Sequence, residues 1–194
     1  MGLKIVTQPA AEPVTLAETK LHLRVDHNDE DGLINSLIKL ARQDVERMCN
    51  LALITQTWDW SMDAWPDRLF SIPLWPLQNV TSIRWKNLAG TETTIDAGNY
   101  IVDASSRPGR VSLNAAYSWP TDELYPLAAV TIQFTAGFGA DGASVPERYR
   151  QAILLLVGHY YENREAVLAG SGINVQLLPL GVTALLAEDI AWAR

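Results

Sequence analysis

Residues 30–62 read EDGLINSLIKLARQDVERMCNLALITQTWDWSM, and the hydrophobic period changes partway through. Up to Asn50, the residues Leu33, Ile34, Leu37, Ile38, Leu40, Ala41, Val45 and Met48 recur at steps of three and four, which gathers them on one face of a helix. Asn35, Lys39, Arg42, Gln43 and Glu46 take the other face. Beyond Leu53 the pattern alternates: Trp58, Trp60 and Met62 interleave with Thr57, Asp59 and Ser61, the period of a half-buried strand. One helical residue breaks its pattern, because at ~100° per residue Asp44 projects from the middle of the apolar stripe. It reads either as a buried acid or as a carboxylate paired with a nearby arginine or backbone end. Pairing is favoured because isolated buried charge is costly.

On the amino-terminal side, Thr15-Leu-Ala-Glu18 is a capping box, which predicts a first helix from there to about Val25. On the carboxy-terminal side, alternation and turn residues continue to Thr135. Strands are predicted near 70–72, 80–86, 91–95, 99–103, 110–113 and 130–135. With the strand around Trp58 and Trp60, about seven short strands suggest a small antiparallel sheet or sandwich. Trp65-Pro66, Trp75-Pro76 and Trp119-Pro120 mark loops or edges, since proline cannot serve a central strand. Gly137-Phe-Gly139 with Gly142 reads as the turn leaving the last strand.

Helix returns at Ser144-Val-Pro-Glu147, which has the form of a second capping box. Tyr149, Ala152, Ile153, Leu156, Val157 and Tyr160 form its stripe, widened by Leu154 and Tyr161 to an arc of about 200°. A helix that apolar is expected to be covered on two sides. A linker over 166–178 precedes a short final helix after Pro179 and Gly181, with Leu185, Leu186, Ile190 and Trp192 on one broad side.

The fold expected is α+β: a small helical core of helices 1, 2 and 3 at 1–52 and 144–165, an inserted antiparallel β domain at 53–143, and a linker with a short carboxy-terminal docking helix at 166–194. Composition agrees with a globular chain: 48% of the 194 residues are hydrophobic and 19% charged. With 22 acidic against 15 basic side chains the net charge is -7, which argues against tight nucleic-acid binding. Cys49, the single cysteine, can form neither an internal disulfide nor a thiolate zinc site, which fits synthesis in a reducing cytoplasm. No signal-peptide pattern or membrane-spanning run is seen.

Catalytic signatures are missing. His159 and Glu162 have the i, i+3 spacing of a metal-ligand pair, but no second pair exists and both point away from the stripe. The chain contains no phosphate loop, dinucleotide fingerprint or nucleophile elbow. No catalytic residue, cofactor or metal ligand is assigned. The seven tryptophans could build a stacking platform for sugars, the main alternative from another functional class; core or subunit packing is the commoner use of such residues.

Taken in order, VTLAETKLHLRVD (14–26), DVERMCNLALITQTW (44–58), IPLWPLQNVTSIRW (72–85), NYIVDASSRPGRVSL (99–113), VTIQFTAGFG (130–139), VPERYRQAILLLVGHYYENRE (145–165) and LPLGVTALL (178–186) resemble the head-to-tail connector (adaptor) proteins of tailed bacteriophages, in the longer form with a β-rich insertion. The likeness covers nearly the whole chain. It implies a non-enzymatic virion protein of the neck, made in the host cytoplasm and assembled as a ring, commonly of twelve subunits, below the portal protein. The other face would receive the next neck or tail protein, and DNA would pass through the lumen without specific binding. In such a ring the second covering of the 145–165 helix would be a neighbouring subunit, which makes Tyr149, Ile153, Leu154, Tyr160 and Tyr161 the subunit-interface candidates. A stopper or tail-completion protein is the neighbouring alternative. The resemblance assigns portal docking to the carboxy-terminal segment, hence to Leu185, Leu186, Ile190 and Trp192, and truncation before Pro179 is expected to abolish docking with the fold intact. Family members often end soon after the paired leucines; this chain continues as LLAEDIAWAR and inserts Glu188 and Asp189.

Overall fold

Thr15 opens the first helix as its sequence predicts. The Glu18 amide donates to the Thr15 hydroxyl at 3.2 Å, and the Thr15 amide donates to the Glu18 carboxylate at 3.4 Å. This helix, α1, covers Leu16–Leu23 and stops at Arg24, whose backbone is left-handed at φ 59°. The second, α2, covers Asp31–Cys49 and ends the same way at Asn50, with φ 48°. The structure is a computed structural model and describes residues 2–164 and 180–192, with the side chains of Leu180 and Trp192 left aside. Two more helices complete the set, α3 over Glu147–Glu162 and α4 over Leu180–Trp192. The linker expected over 166–178 lies outside the described residues.

At α3 the expected capping box does not form. Pro146 is the cap residue and makes no side-chain bond. Ser144 belongs instead to a short 3-10 turn, Gly142–Ser144, where its amide and hydroxyl both donate to the Asp141 carboxylate at 3.1 and 2.9 Å. Asp141 thus takes the serine that the sequence pattern assigns to Glu147.

Contacts divide the chain into two units, one of Met1–Pro9 with Thr55–Phe138 and one of Ala10–Ile54 with Gly139–Arg194. In the helical unit the interior is formed by Ile34, Ile38, Ala41 and Val45 of α2 and by Tyr149, Ala152, Ile153, Leu156 and Val157 of α3, all fully or almost fully buried. Gly142 is part of that packing: a Cβ placed there would stand 2.5 Å from the Pro13 carbonyl oxygen. Gly142→Ala is expected to cost about 1–3 kcal/mol through overpacking against backbone, measurable as a lowered denaturant midpoint. A midpoint equal to wild type would show that the 3-10 turn yields freely.

The β unit contains β1 (Gly2–Thr7), β2 (Gln56–Met62), β3 (Leu69–Ser71), β4 (Leu77–Lys86), β5 (Glu92–Ile95), β6 (Tyr100–Asp103), β7 (Arg110–Leu113) and β8 (Val130–Ala136). Seven of these match predicted strands. A five-stranded antiparallel sheet runs β1-β2-β8-β4-β5 and a three-stranded sheet β3-β7-β6. In β8 burial alternates strictly, with Val130, Ile132, Phe134 and Ala136 inside. Trp60 of β2 meets Phe70 of β3 with ring centroids 6.2 Å apart, so one sheet's apolar face packs toward the other sheet. All three Trp-Pro pairs fall between strands.

The strand absent from the sequence prediction is β1. It pairs with β2 in the register Leu3↔Trp60 and Ile5↔Trp58. Residues 1–9 therefore belong to the β unit, although the sequence division groups them with the helices. Leu53, Ile54 and 139–143 fall in the helical unit, where Ile54 bridges to Gly139.

Candidate functional site: interaction surfaces

The wide apolar arc of α3 is used within the chain. Tyr149 and Ile153 are fully buried and Leu154 nearly so, because α3 packs against α2 on one side and against α4 on another. The second covering that the arc requires is thus supplied by α4, and the arc no longer points to a neighbouring subunit. Tyr160 and Tyr161 differ, since both remain half-exposed at the end of α3. The Tyr160 hydroxyl donates to Asp44 at 2.7 Å, and Asp44 also receives Arg47 at 2.8 Å. Asp44 is therefore the paired carboxylate of the two readings. The Tyr161 hydroxyl donates to Glu30, which also pairs with Arg164 at 2.7 Å. These donors hold the Glu30 carboxyl below the ordinary carboxylate range, Tyr161 first.

On α4, Val182, Leu186 and Asp189 are fully buried, at the i, i+4, i+7 spacing of one face. Leu185 and Ile190 are half-buried, and Trp192 ends the helix. Among the docking residues Leu186 is thus committed to the chain's own interior. Truncation before Pro179 would strip Val182, Leu186 and Asp189 from that interior, so it removes a buried part of the helical unit together with the docking segment.

Asp189 is a buried carboxylate that accepts the Tyr149 hydroxyl at 3.0 Å and pairs with Arg148 at 3.2 Å. Arg148 also lies over the Tyr149 ring, 4.7 Å from its centroid, and reaches Glu188 at 3.6 Å. Burial, reinforced by the Asp189 charge and hydrogen bond, pushes the Tyr149 phenol up to about 12. An unfolded tyrosine loses its proton near pH ~10, so the folded chain holds this proton more tightly. The stability Tyr149 contributes is whole below pH ~10 and is lost as pH rises through about 12, a change on the order of 2–3 kcal/mol. Tyr149→Phe should therefore flatten the alkaline fall in denaturant midpoint between pH ~9 and ~12. Equal falls in both proteins would remove the assignment.

In the β unit three of the tryptophans, Trp65, Trp85 and Trp119, pack on one another. Trp65 and Trp119 stack at 4.5 Å, 9° from parallel, and Trp65 also meets Trp85 at 5.8 Å. Trp119 donates its indole N–H to the Pro66 carbonyl at 2.8 Å, whereas those of Trp65 and Trp85 are buried without a hydrogen-bond partner. The facing surfaces of Trp65 and Trp119, which a sugar platform would need, are thus taken by each other. An open groove of about 490 Å³ lies beside them, lined by Trp60, Trp65, Phe70, Asp63 and Asp67 among others.

His159 and Glu162 do not come together as ligands: the His159 ring lies near Tyr160 and beside the Asn163 amide at 3.4 Å. Among the described residues no group of three or more His, Cys, Asp or Glu could hold a metal ion. No described helix is long and apolar enough to cross a membrane.

Two apolar surfaces on the helical unit are exposed. Leu33 and Leu40 of α2 are 38% and 43% exposed, with Leu37 half-buried between them. Leu21 of α1 is 81% exposed and forms a wall of an open groove of about 430 Å³, together with Leu16, Ala17 and Val25. The sequence pattern assigns Leu33 and Leu40 to the buried face, which shows how periodicity alone misses an outward flank.

Residues 13–84 match the family described as phage gp6-like head-tail connector protein. No curated protein sequence matches the chain. Among solved structures, a chain from the neck of an empty gene transfer agent particle, computed with C6 symmetry, is 29% identical and superposes with a TM-score of 0.81 over 97% of this chain and 95% of its own. Chains from the virion of a native gene transfer agent particle and from its neck computed with C12 symmetry are each 29% identical, with a TM-score of 0.78 over 97% of this chain and 94% of theirs.

Proposed function

We infer, for a chain that belongs to the head-tail connector and neck proteins, that it is a structural part of the neck of a tailed phage or gene transfer agent particle, joining head to tail. The observation that carries this is the likeness over 97% of the chain at 29% identity, which embraces both units rather than one shared motif. Its work is mechanical, not catalytic.

The finer reading is a connector ring on the portal, with the next neck or tail protein on its far side. A twelvefold ring is supported by the related neck computed with C12 symmetry. A net charge of -7 suits a lumen along which DNA slides without being held, since neutralised phosphates would slow it. For portal docking, Leu185, Ile190 and the end of α4 at Trp192 are the residues retained from the carboxy-terminal set, with Leu186 acting from inside the unit. For subunit contact, Tyr160 and Tyr161 are retained.

The test is to tag the chain in the particle that encodes it and locate the tag by electron microscopy, alongside particles from which its gene is deleted. Tag density at the head-tail junction, and tailless heads on deletion, are expected. Density on the capsid shell or at the tail tip would overturn the reading, and density beyond a separate portal-bound ring would favour a stopper or tail-completion role.

A further inference from the structure

We propose that the aromatic groove beside β3 is a binding site for an arginine side chain presented by an adjoining protein of the neck. The inference rests on the neck reading above for the identity of that neighbour, while the chemistry of the site stands on the groove itself. The groove lies wholly within the β unit, between the end of β2, the turn that follows it and β3.

Its walls are apolar and already fixed. Met62 and Phe70 line it with only 3% and 9% of their surface exposed, and Trp60, Trp65 and Pro66 are half-buried along it. Trp60 packs on Phe70 at 6.2 Å, and Trp65 is held by its stack on Trp119 at 4.5 Å. Rings placed before a ligand arrives spare it part of the cost of ordering them. At about 490 Å³ the groove falls in the size range of ligand sites.

The rim is acidic. Asp63 and Asp67 both line the groove and both are exposed. Asp63 uses Oδ1 to accept the Ala128 amide at 2.8 Å, and neither aspartate forms an ion pair among the described residues. Arg68, the cation nearest in sequence, does not line the groove; its guanidinium donates to the carbonyls of Tyr117 and Asn114 at 2.6 and 2.8 Å. An exposed aspartate alone is ordinary. Two on the rim of an aromatic groove, with the adjacent arginine spent on backbone, are complementary to a cation on an apolar stem. Arginine answers that description better than lysine, because its planar guanidinium stacks on ring faces and forks onto a carboxylate. It is also one of the residues that anchor protein interfaces by filling pockets. The occupant assigned to the groove is such an arginine on the protein next to this one.

The test uses the full chain labelled with 5-fluorotryptophan, with the Trp60 and Trp65 fluorine signals assigned through Trp60→Phe and Trp65→Phe. The probe is N-acetyl-arginine amide at constant ionic strength, beside the citrulline amide, which keeps the shape without the charge, and the lysine amide. Both signals should move saturably with the arginine probe, at a midpoint of about 1–10 mM. The citrulline probe should leave them in place, and the lysine probe should bind several-fold more weakly. Asp63→Asn combined with Asp67→Asn should weaken arginine binding by about tenfold or more. Asp122→Asn, which removes an exposed carboxylate of the same unit outside the groove, should not. Thermal melts verify that each variant folds. Signals that stay fixed throughout the titration, or equal binding by the double variant, would overturn the site. Lysine binding as tight as arginine would overturn the choice of arginine. The neighbour is tested separately, in an electron-microscopy map of the particle, where an arginine of another protein is expected in the groove. An empty groove, or one filled by a second copy of this chain, would overturn the assigned partner. A chain located away from the head-tail junction would overturn the neck reading, and the partner with it, while the titration still decides the site.

Discussion

Arg42→Ala is expected to destabilise the helical unit by about 3–5 kcal/mol, the cost of stranding partners of a buried charge. Arg42 is only 5% exposed, and its guanidinium is divided between two carboxylates. Its Nε donates to Glu12 at 2.8 Å and its Nη1 to Glu46 at 2.6 Å. Glu46 then accepts the Leu53 amide at 2.9 Å. The arginine thus ties the approach to α1, the body of α2 and the chain leaving α2 into one network. Alanine leaves two neighbouring carboxylates without their common cation and opens a cavity among buried atoms. Arg42→Lys keeps the charge but cannot span both acids with a planar fork, so an intermediate loss is expected. Far-ultraviolet ellipticity is the appropriate probe, because six of the seven tryptophans sit in the β unit and their fluorescence follows that unit instead. A loss below ~0.5 kcal/mol, the range of ordinary surface substitutions, would show that the network is dispensable.

Arg42 also marks the limit of what the sequence discloses. Periodicity places it on the polar side of α2, but the structure buries it at the edge of the packed face, four residues after Ile38 and three before Val45, where Glu12, thirty residues earlier, meets its charge. Local rules fared well where the cause is local. The Thr15–Glu18 box, the left-handed end of α2 at Asn50 and the seven strands from 56 to 136 follow from capping, alternation and turn chemistry within a few residues. They failed where a distant partner decides. β1 carries the β-branched run Ile5-Val6-Thr7 before Gln8-Pro9, a usable signal, but without clear alternation it becomes a strand only by pairing with Trp58 and Trp60 some fifty residues on. Ser144 has the right neighbour for a capping box and is taken by Asp141 instead. The apolar arc of α3 correctly demands a second covering, but spacing cannot tell whether that covering is another subunit or α4 of the same chain.

Asp189→Ala is expected to release α4 from the helical unit while α1, α2 and α3 stay folded. Arg148, whose side chain is 37% exposed, keeps Glu188 and the Tyr149 hydroxyl as partners, so what is lost is the hydrogen bonding to a buried charged group, about 1.5–3 kcal/mol. The apolar part of the α4 seat, chiefly Val182 and Leu186, contributes on the order of 3–6 kcal/mol as an upper bound. With a loss that approaches the lower end of that gain, α4 is held by little and leaves its seat far more often. Backbone amides of α4 should then exchange with solvent roughly ten- to a hundredfold faster, while those at the centre of α2 keep their protection. Asp189→Asn retains an acceptor for Tyr149 and loses the charge, so a smaller acceleration is expected; a Tyr149→Phe, Asp189→Ala double variant should be less destabilised than the two singles predict. Unchanged α4 protection in Asp189→Ala would show that the latch holds nothing. The acid that looks in sequence like an insertion disturbing an apolar tail is, on this account, what fixes the seat and register of that tail. The same variant bears on docking. If the portal takes α4 in its seat, through the outward parts of Leu185 and Ile190, releasing the helix weakens binding, because the docking-competent form becomes the minor one. That is the outcome expected here, and tighter portal binding by Asp189→Ala would mean instead that the portal recognises α4 after it has left the core.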